Sequence, residues 1–361
     1  LTHMNGTPIT QSLDTIKALS HISFDGIVTL NNGTLDSTFN GEVYLTVFDK
    51  PMDRQTLNND GNAEIMTFDT QDSKIFRGRA SVTNGQFHIE FVAPQDIRIA
   101  YGYGKLSFYA HNGSTDRGGY NTDIVIGGIN YDAVTDNTGP QIRLYMNDTS
   151  FIDGGNTNQS PLLMAFLEDE NGINTSFSSV DHDITAILDD DQQNPFILND
   201  YYITDVDDYT KGSLEYRLRD LSIGSHIIQL KAYDTYNNPN EASLHFVVVD
   251  DAELILEHVL NYPNPFVNHT EFWFSHNKPN EPLEVQVQIY TVSGKLVKTI
   301  NQNIVNSGSL SRDISWDGLD DFGQKIGKGV YLFKLSVTAP HSDLKAEKFE
   351  KVRNPSYKLW I

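Results

Sequence analysis

Carboxylates dominate the chemistry this sequence can offer. Its 361 residues include 48 Asp and Glu, 26 Lys and Arg, 11 His and no Cys. Without cysteine there is no disulfide, no thiolate nucleophile and no Cys-ligated zinc. Asp189-Asp190-Asp191 and Asp205-x-Asp207-Asp208 concentrate negative charge. Asp136, Glu168, Asp169, Asp234, Asn237 and Asn238 are placed so that they could converge at one end of a β-sandwich. Calcium takes several carboxylate and carbonyl oxygens, so these groups are candidates for a structural calcium site, although none of the strings has EF-hand spacing. Asp and Asn also populate turns, because their side chains bond to nearby backbone and tolerate left-handed φ. The turn reading is preferred, so no metal ligand and no cofactor is assigned, with structural calcium kept as the alternative.

The remaining reactive groups are scattered. His88 alternates with Phe87 and Ile89 and is read as facing away from them, and Glu90 is read as lying on the other face from His88. On that reading His-x-Glu is no zinc motif, since metal sites need clustered ligands, and each histidine is expected to be structural or solvent-facing. No Gly-x-Ser-x-Gly elbow offers a serine nucleophile. Tyr101-Gly102-Tyr103-Gly104-Lys105 has strand patterns on both sides and no helix after it, so it is read as a strand junction and not a phosphate loop. Tyr201-Tyr202 could belong to a sugar-binding face, but Tyr is also common in strands, where its ring packs and its tip hydrogen-bonds. Paired carboxylates for glycoside hydrolysis are a matter of three-dimensional separation. No catalytic residue is assigned.

The elements that must position these groups are strands. Apolar residues alternate at period two in Val43/Leu45/Val47, Phe87/Ile89/Phe91, Leu106/Phe108, Ile142/Leu144/Met146, Ile184/Ala186/Leu188, Ile228/Leu230/Ala232 and Val285/Val287/Ile289. Gly, Asn, Asp and Pro clusters separate them, the pattern of antiparallel sandwiches. The expected fold is all-β, three consecutive antiparallel β-sandwich modules of immunoglobulin-like type, with one short helical turn at Asp14–Leu19. Boundaries fall at the turn-rich Thr135–Pro140 and at the acidic Asp250–Glu257. They give a leading segment 1–19, modules 20–135 and 136–250, and a last module 257–361 that includes a short extension. Hydrophobic content of 39% and aromatic content of 11% argue for folded cores. The net charge of −22 repels phosphate backbones and anionic lipid, so no nucleic-acid partner is expected. No run approaches the length of a membrane span.

The last module carries the most specific string. Tyr262-Pro263-Asn264-Pro265-Phe266 opens it; two prolines fix φ and forbid a helix, and an extended entry strand is expected there. Trp316-Asp317-Gly318-x-Asp320-x-x-Gly323 and Gly329-Val330-Tyr331 close it with tight turns between short strands. Phe266, Phe272, Phe274, Trp316, Tyr331 and Phe333 are its expected core. The combination resembles the type A C-terminal sorting domain of the type IX secretion system of Bacteroidetes. Such a domain is an immunoglobulin-like sandwich read as an export address. Recognition is expected to use exposed strand edges and the final strand, with Lys345, Lys348 and Lys351 as partner-binding residues, and Trp360 in the extension adding apolar contact.

The rest of the chain resembles the gingipain-like signal peptidases (sortases) of that system, the PorU family. The resemblance is carried by Asp14–Leu19, Thr46–Pro51, Gly127-Gly128-Ile129, Asp136–Pro140, Asp169–Asn174, His182–Ala186, Leu198–Tyr202, Gly224-x-His226 and Lys231-Ala232-x-Asp234-x-x-Asn237-Asn238. It implies a fragment of a longer precursor, with residues 1–19 leading out of an upstream C25-type cysteine peptidase domain. That domain uses a Cys nucleophile and a His base, so this chain is expected to be non-catalytic. The resemblance further implies a cell-surface location at the outer membrane of a Gram-negative bacterium. It implies anchorage to the barrel protein PorV through a retained sorting domain, with other type IX components as partners. The alternative is the C-terminal region of an exported cargo protein, a gingipain-like protease or an adhesin, whose sorting domain is cleaved on secretion.

Overall fold

The computed structural model describes residues 1–57, 59, 61, 65–176, 181–250, 253–306 and 308–354, the side chains of 353 and 354 excepted. Among the described residues the regular elements are all strands, apart from one short 3-10 turn at Asn199–Tyr201. The expected all-β class is observed. The chain folds as two compact units, one of residues 1–144, 165–216 and 228–243, the other of 145–164, 217–227 and 244–361.

In the first unit, Gly41–Phe48 pairs antiparallel with Lys74–Val82 on one side and Lys105–His111 on the other, and Asp116–Asn121 completes that sheet. A second sheet joins His21–Ile27 to Gln86–Val92 and to the short strand His3–Met4. The core follows from alternation: Val43, Leu45 and Val47 point inward with Phe24, Phe91 and Leu106, and Phe76 stacks on Phe91 with ring centroids 4.2 Å apart. Thr185–Leu188 pairs with Phe196–Ile197 and with Gly224–Tyr233, and Tyr202–Asp205 with Asp208–Arg217, all antiparallel.

Residues 1–19 differ from expectation. Asp14–Leu19 is no helical turn; Thr15–Ala18 is a strand that lies parallel to Val125–Ile129. The reason is its own pattern, since Ile16 and Ala18 are buried while Thr15 and Lys17 are not, a period of two. Met4 and Ile16 are fully buried in the core, so this stretch is part of the unit that follows it.

In the second unit, a three-stranded sheet places Thr270–His276 between Leu256–Tyr262 and Leu310–Trp316. A four-stranded sheet runs in the order Leu296–Ile304, Leu283–Thr291, Gly329–Ala339, Leu344–Asn354. The inner faces of the two share one core, in which Phe272 meets Phe333 with centroids 4.8 Å apart. Gly155–Thr157 pairs with Phe246–Val248 in parallel, a second departure from a purely antiparallel scheme.

Candidate functional site

The proline-rich string does not form a strand. The strand Leu256–Tyr262 ends where Pro263 begins, and Pro263–His269 is the connection to Thr270–His276. Proline lacks the N–H that a sheet ladder needs, so two of them end the pairing instead of extending it. Pro263 O accepts the Thr270 hydroxyl at 2.9 Å, and Asn264 Nδ2 donates to Lys351 O at 3.2 Å, tying the string to the last strand. Phe266 turns back into the core against Trp316, with centroids 5.3 Å apart.

The second string makes a compact turn under that contact. Trp316 Nε1 donates to Leu319 O at 2.9 Å, Asp317 Oδ1 accepts Leu319 N at 3.0 Å, and Asp320 Oδ1 accepts Phe322 N and Gln324 N at 2.9 and 2.8 Å. Gly318 and Gly323 have φ of +75° and +77°, a backbone that a side chain disfavours. Tyr331 packs edge-on to Trp316 and donates its hydroxyl to Gly327 O at 2.7 Å. Phe266, Phe272, Phe274, Trp316, Tyr331 and Phe333 all belong to the core cluster, as expected from sequence. Gly329 and Tyr262 are exposed. Tyr262 lies 5.2 Å from Trp273, whose ring also carries the Arg312 guanidinium at 4.3 Å. Of that outward trio only Tyr262 belongs to a sequence motif; Trp273 and Arg312 do not.

Lys345, Lys348 and Lys351 are exposed on Leu344–Asn354, an eleven-residue strand at the end of its sheet with no further strand beside it among the described residues. They do not form one basic surface. The pairing register is unbroken, so alternation puts Lys345 and Lys351 on the outer face with Glu347 and Phe349, and Lys348 on the core side opposite Leu335. Glu347 bonds Lys334 at 2.6 Å and Lys345 at 2.9 Å, and these ammonium groups hold its carboxyl down at about 2. Phe349, 65% exposed with Lys334 Nζ 5.6 Å from its ring centre, stands between the lysines and was missed by a search for charge. Trp360 lies outside the described residues.

Asp136, Asp169 and Asp234 converge, with one carboxylate oxygen from each within 4.8 Å of the others. Burial pushes Asp169 up to about 7, and the neighbouring charges of Asp234, Asp136 and Glu170 act in the same direction. Burial also raises Asp234, although Asn238 and the Tyr236 N–H bond to it. Of the other members of the expected set, Asn238 joins the cluster, and Glu168 and Asn237 go elsewhere. Glu168 pairs with Lys211 at 3.1 Å, the Asn237 amide donates to Asp96 at 2.7 Å, and the Asn238 amide donates to Asp234 at 2.8 Å. Three carboxylates could begin a calcium site, but calcium takes six to eight oxygens. The acidic runs behave as turns: Asp189, Asp190 and Asp207 have positive φ, and Asp191 and Asp208 accept backbone N–H groups two residues on.

One reading of single residues is corrected. His88 and Glu90 share a strand face, because residues two apart always do; His88 bonds Asp25 at 2.7 Å, and Glu90 bonds His21 at 2.9 Å. Tyr202 is buried and the half-exposed Tyr201 packs edge-on to Tyr216, in line with the preferred reading of packed tyrosines. Gly102–Tyr103 and Lys105–His111 are strands, as read.

A model of the FlgD Ig-like domain matches residues 272–340, within the two facing sheets of the second unit. No curated protein matches the chain. Among solved structures, dimeric latent PorU from Porphyromonas gingivalis is 32% identical over 99% of this chain and 34% of that one, with a TM-score of 0.44. The chain thus spans about a third of the length of that protein. The tetra-tandem repeat in the extending region of a large adhesion protein matches at 13% identity, 98% of this chain, 84% of that chain and TM-score 0.22. The FN1–FN3 domains of chicken CNTN1 match at 9% identity, 95% of this chain, 97% of that chain and TM-score 0.24.

Proposed function

We propose that this chain is the non-catalytic C-terminal part of a PorU-like signal peptidase of the type IX secretion system. In that reading it holds the peptidase at the cell surface by binding the outer-membrane barrel PorV through its last sandwich. The observation that carries the reading is the way the two sorting-domain strings meet. Phe266 packs on Trp316, and Asn264 is bonded to the final strand, so both strings brace an open sheet edge. An open edge offers unpaired backbone donors and acceptors, and the rim lysines add steering toward an acidic partner. The sequence likeness to PorU points the same way. With no cysteine, the chain cannot supply a thiolate nucleophile.

The test uses the full chain, because cutting after residue 250 would divide the second compact unit. Capture by a detergent-solubilised PorV-type barrel should fall when Lys345 and Lys351 are both changed to Glu, and should fall less for Lys348→Glu, which lies on the other strand face. Equal capture by the double variant would place the binding surface elsewhere. Mass spectrometry of the mature surface protein should find peptides spanning Asp250–Tyr262; a mature C-terminus in that linker would favour the cleaved-cargo alternative.

A further inference from the structure

The outer face of the sheet built from Gly41–Phe48, Lys105–His111 and Asp116–Asn121 has features that neither the fold nor the secretion reading uses. Its inner residues, Val43, Leu45, Leu106 and Ala110, belong to the core. Its outer residues form rows across the three strands: Glu42–His111–Asp116, Tyr44–Tyr109–Gly118 and Thr46–Ser107–Tyr120. The fourth strand of the sheet is already occupied, since Arg77 and Arg79 donate to the carbonyls of Asp200 and Thr204 at 2.8 and 2.9 Å. The three remaining strands are open.

We propose that this face binds a neutral, polyhydroxylated glycan chain. Tyr44, Tyr109 and His111 cluster with ring centroids 5.7–6.2 Å apart; the Tyr44 and His111 planes lie 25° apart, and Tyr109 is tilted 50° and 39° to them. Rings packed on one another in this way enclose no cation, as an aromatic cage must; the exposed Tyr109 and Tyr120 are the rings available to the C–H face of a pyranose. Tyr109 is 48% exposed and Tyr120 is 76% exposed.

Between them the strand carries Gly118 and Gly119. Neither has positive φ, so the backbone does not require glycine, and a Cβ at either would meet nothing within 4 Å. Glycine inside a strand weakens it and often marks a place where a ligand or another backbone approaches closely; of the two, Gly118, paired with Tyr109, lies on the outer face. Gly118 leaves open space beside Tyr109, its cross-strand partner, and Tyr109 also lines a hollow of about 510 Å³ with Tyr44, His111, Gly113, Ser114 and Asp116.

The polar groups also fit. Tyr44 donates its hydroxyl to Glu42 at 3.2 Å, and Tyr109 bonds Asp116. With the phenol protons committed, the phenol oxygens are left as acceptors, as are the Asp116 and Glu42 carboxylates, the latter also 3.7 Å from Arg79. A sugar supplies hydroxyl donors to them. Glu42, Asp116 and a chain charge of −22 oppose anionic saccharides.

The experiment is calorimetric titration of the full chain with neutral hexaoses of glucose, mannose and galactose, and with oligogalacturonate as the anionic control. Saturable binding of at least one neutral hexaose is expected. Tyr109→Ala should weaken it about tenfold or more. Gly118→Val should do the same by filling the space, with a melting temperature no lower than that of the wild type, because its Cβ has open space and valine suits a strand. The proposal is overturned if no neutral hexaose binds saturably, if the uronate binds more tightly, or if Gly118→Val binds as wild type does. The first of these outcomes would leave the face to a protein partner.

Discussion

Replacing Asp169 by Asn tests the energetics of the converging carboxylates directly. Asp169 is 7% exposed and its carboxyl is raised from 3.8 to about 7, first by desolvation and then by the charges of Asp234, Asp136 and Glu170. Between those two values the folded chain binds a proton that the unfolded chain has released. Stability from this group is therefore present at low pH and is lost as pH rises from the unfolded value through the folded one. A rise of about 3 units corresponds to about 4 kcal/mol at pH 8, shrinking to less than about 1 kcal/mol near pH 4. The carboxamide of Asp169→Asn would keep an oxygen to accept the Asn171 N–H, now bonded at 2.8 Å, while removing the charge. The variant should be the more stable protein at pH 8 in chelator, by roughly 8–16 °C in the melting of a unit this size, and the gap should close toward pH 4. Calcium distinguishes the two readings of the cluster. Ion binding would raise the wild-type melting temperature and leave the variant unmoved, whereas a turn without an ion leaves both unmoved; we expect the second. A variant no more stable than wild type at pH 8 in chelator would refute the claim that burial opposes this charge.

The second unit should respond to acid in the opposite sense. His276, 3% exposed, is pushed down by burial to about 4, so the unfolded chain binds its proton first; up to about 3 kcal/mol should be lost as pH falls from 6.5 to 4, and His276→Gln should flatten that dependence in calorimetric melts. Phe266→Ala should cost about 3–5 kcal/mol in chemical denaturation, because it empties the space against Trp316 where the two strings meet; a cost below about 1 kcal/mol would mean that this contact does not hold the turn.

Strand identity was legible because it is local. Alternation in Val43/Leu45/Val47, Phe87/Ile89/Phe91 and Val285/Val287/Ile289 shows which residues face a core without reference to any partner strand, and all of these are strands with those residues buried. The core of the last sandwich was legible for the same reason, with glycines and Asx residues marking its turns. Thr15–Ala18 has the same two-residue period, yet four residues are too few to separate a strand from one helical turn, and its burial came from a parallel partner more than a hundred residues away.

The sites depended on pairing, which no local pattern carries. Register put Tyr44 beside Tyr109 and Gly118, and it split Lys345 and Lys351 from Lys348 across an edge. Chain reversals brought Asp136, Asp169 and Asp234 together from six candidates, bonded Asn238 to Asp234, and sent Glu168 and Asn237 to other partners. From its sequence alone this protein was determined to be a series of β-strands with an aromatic-cored final sandwich. Which carboxylates meet, which edge is open and which aromatic face is bare were decided only by tertiary structure, because each depends on contacts between residues far apart in the chain.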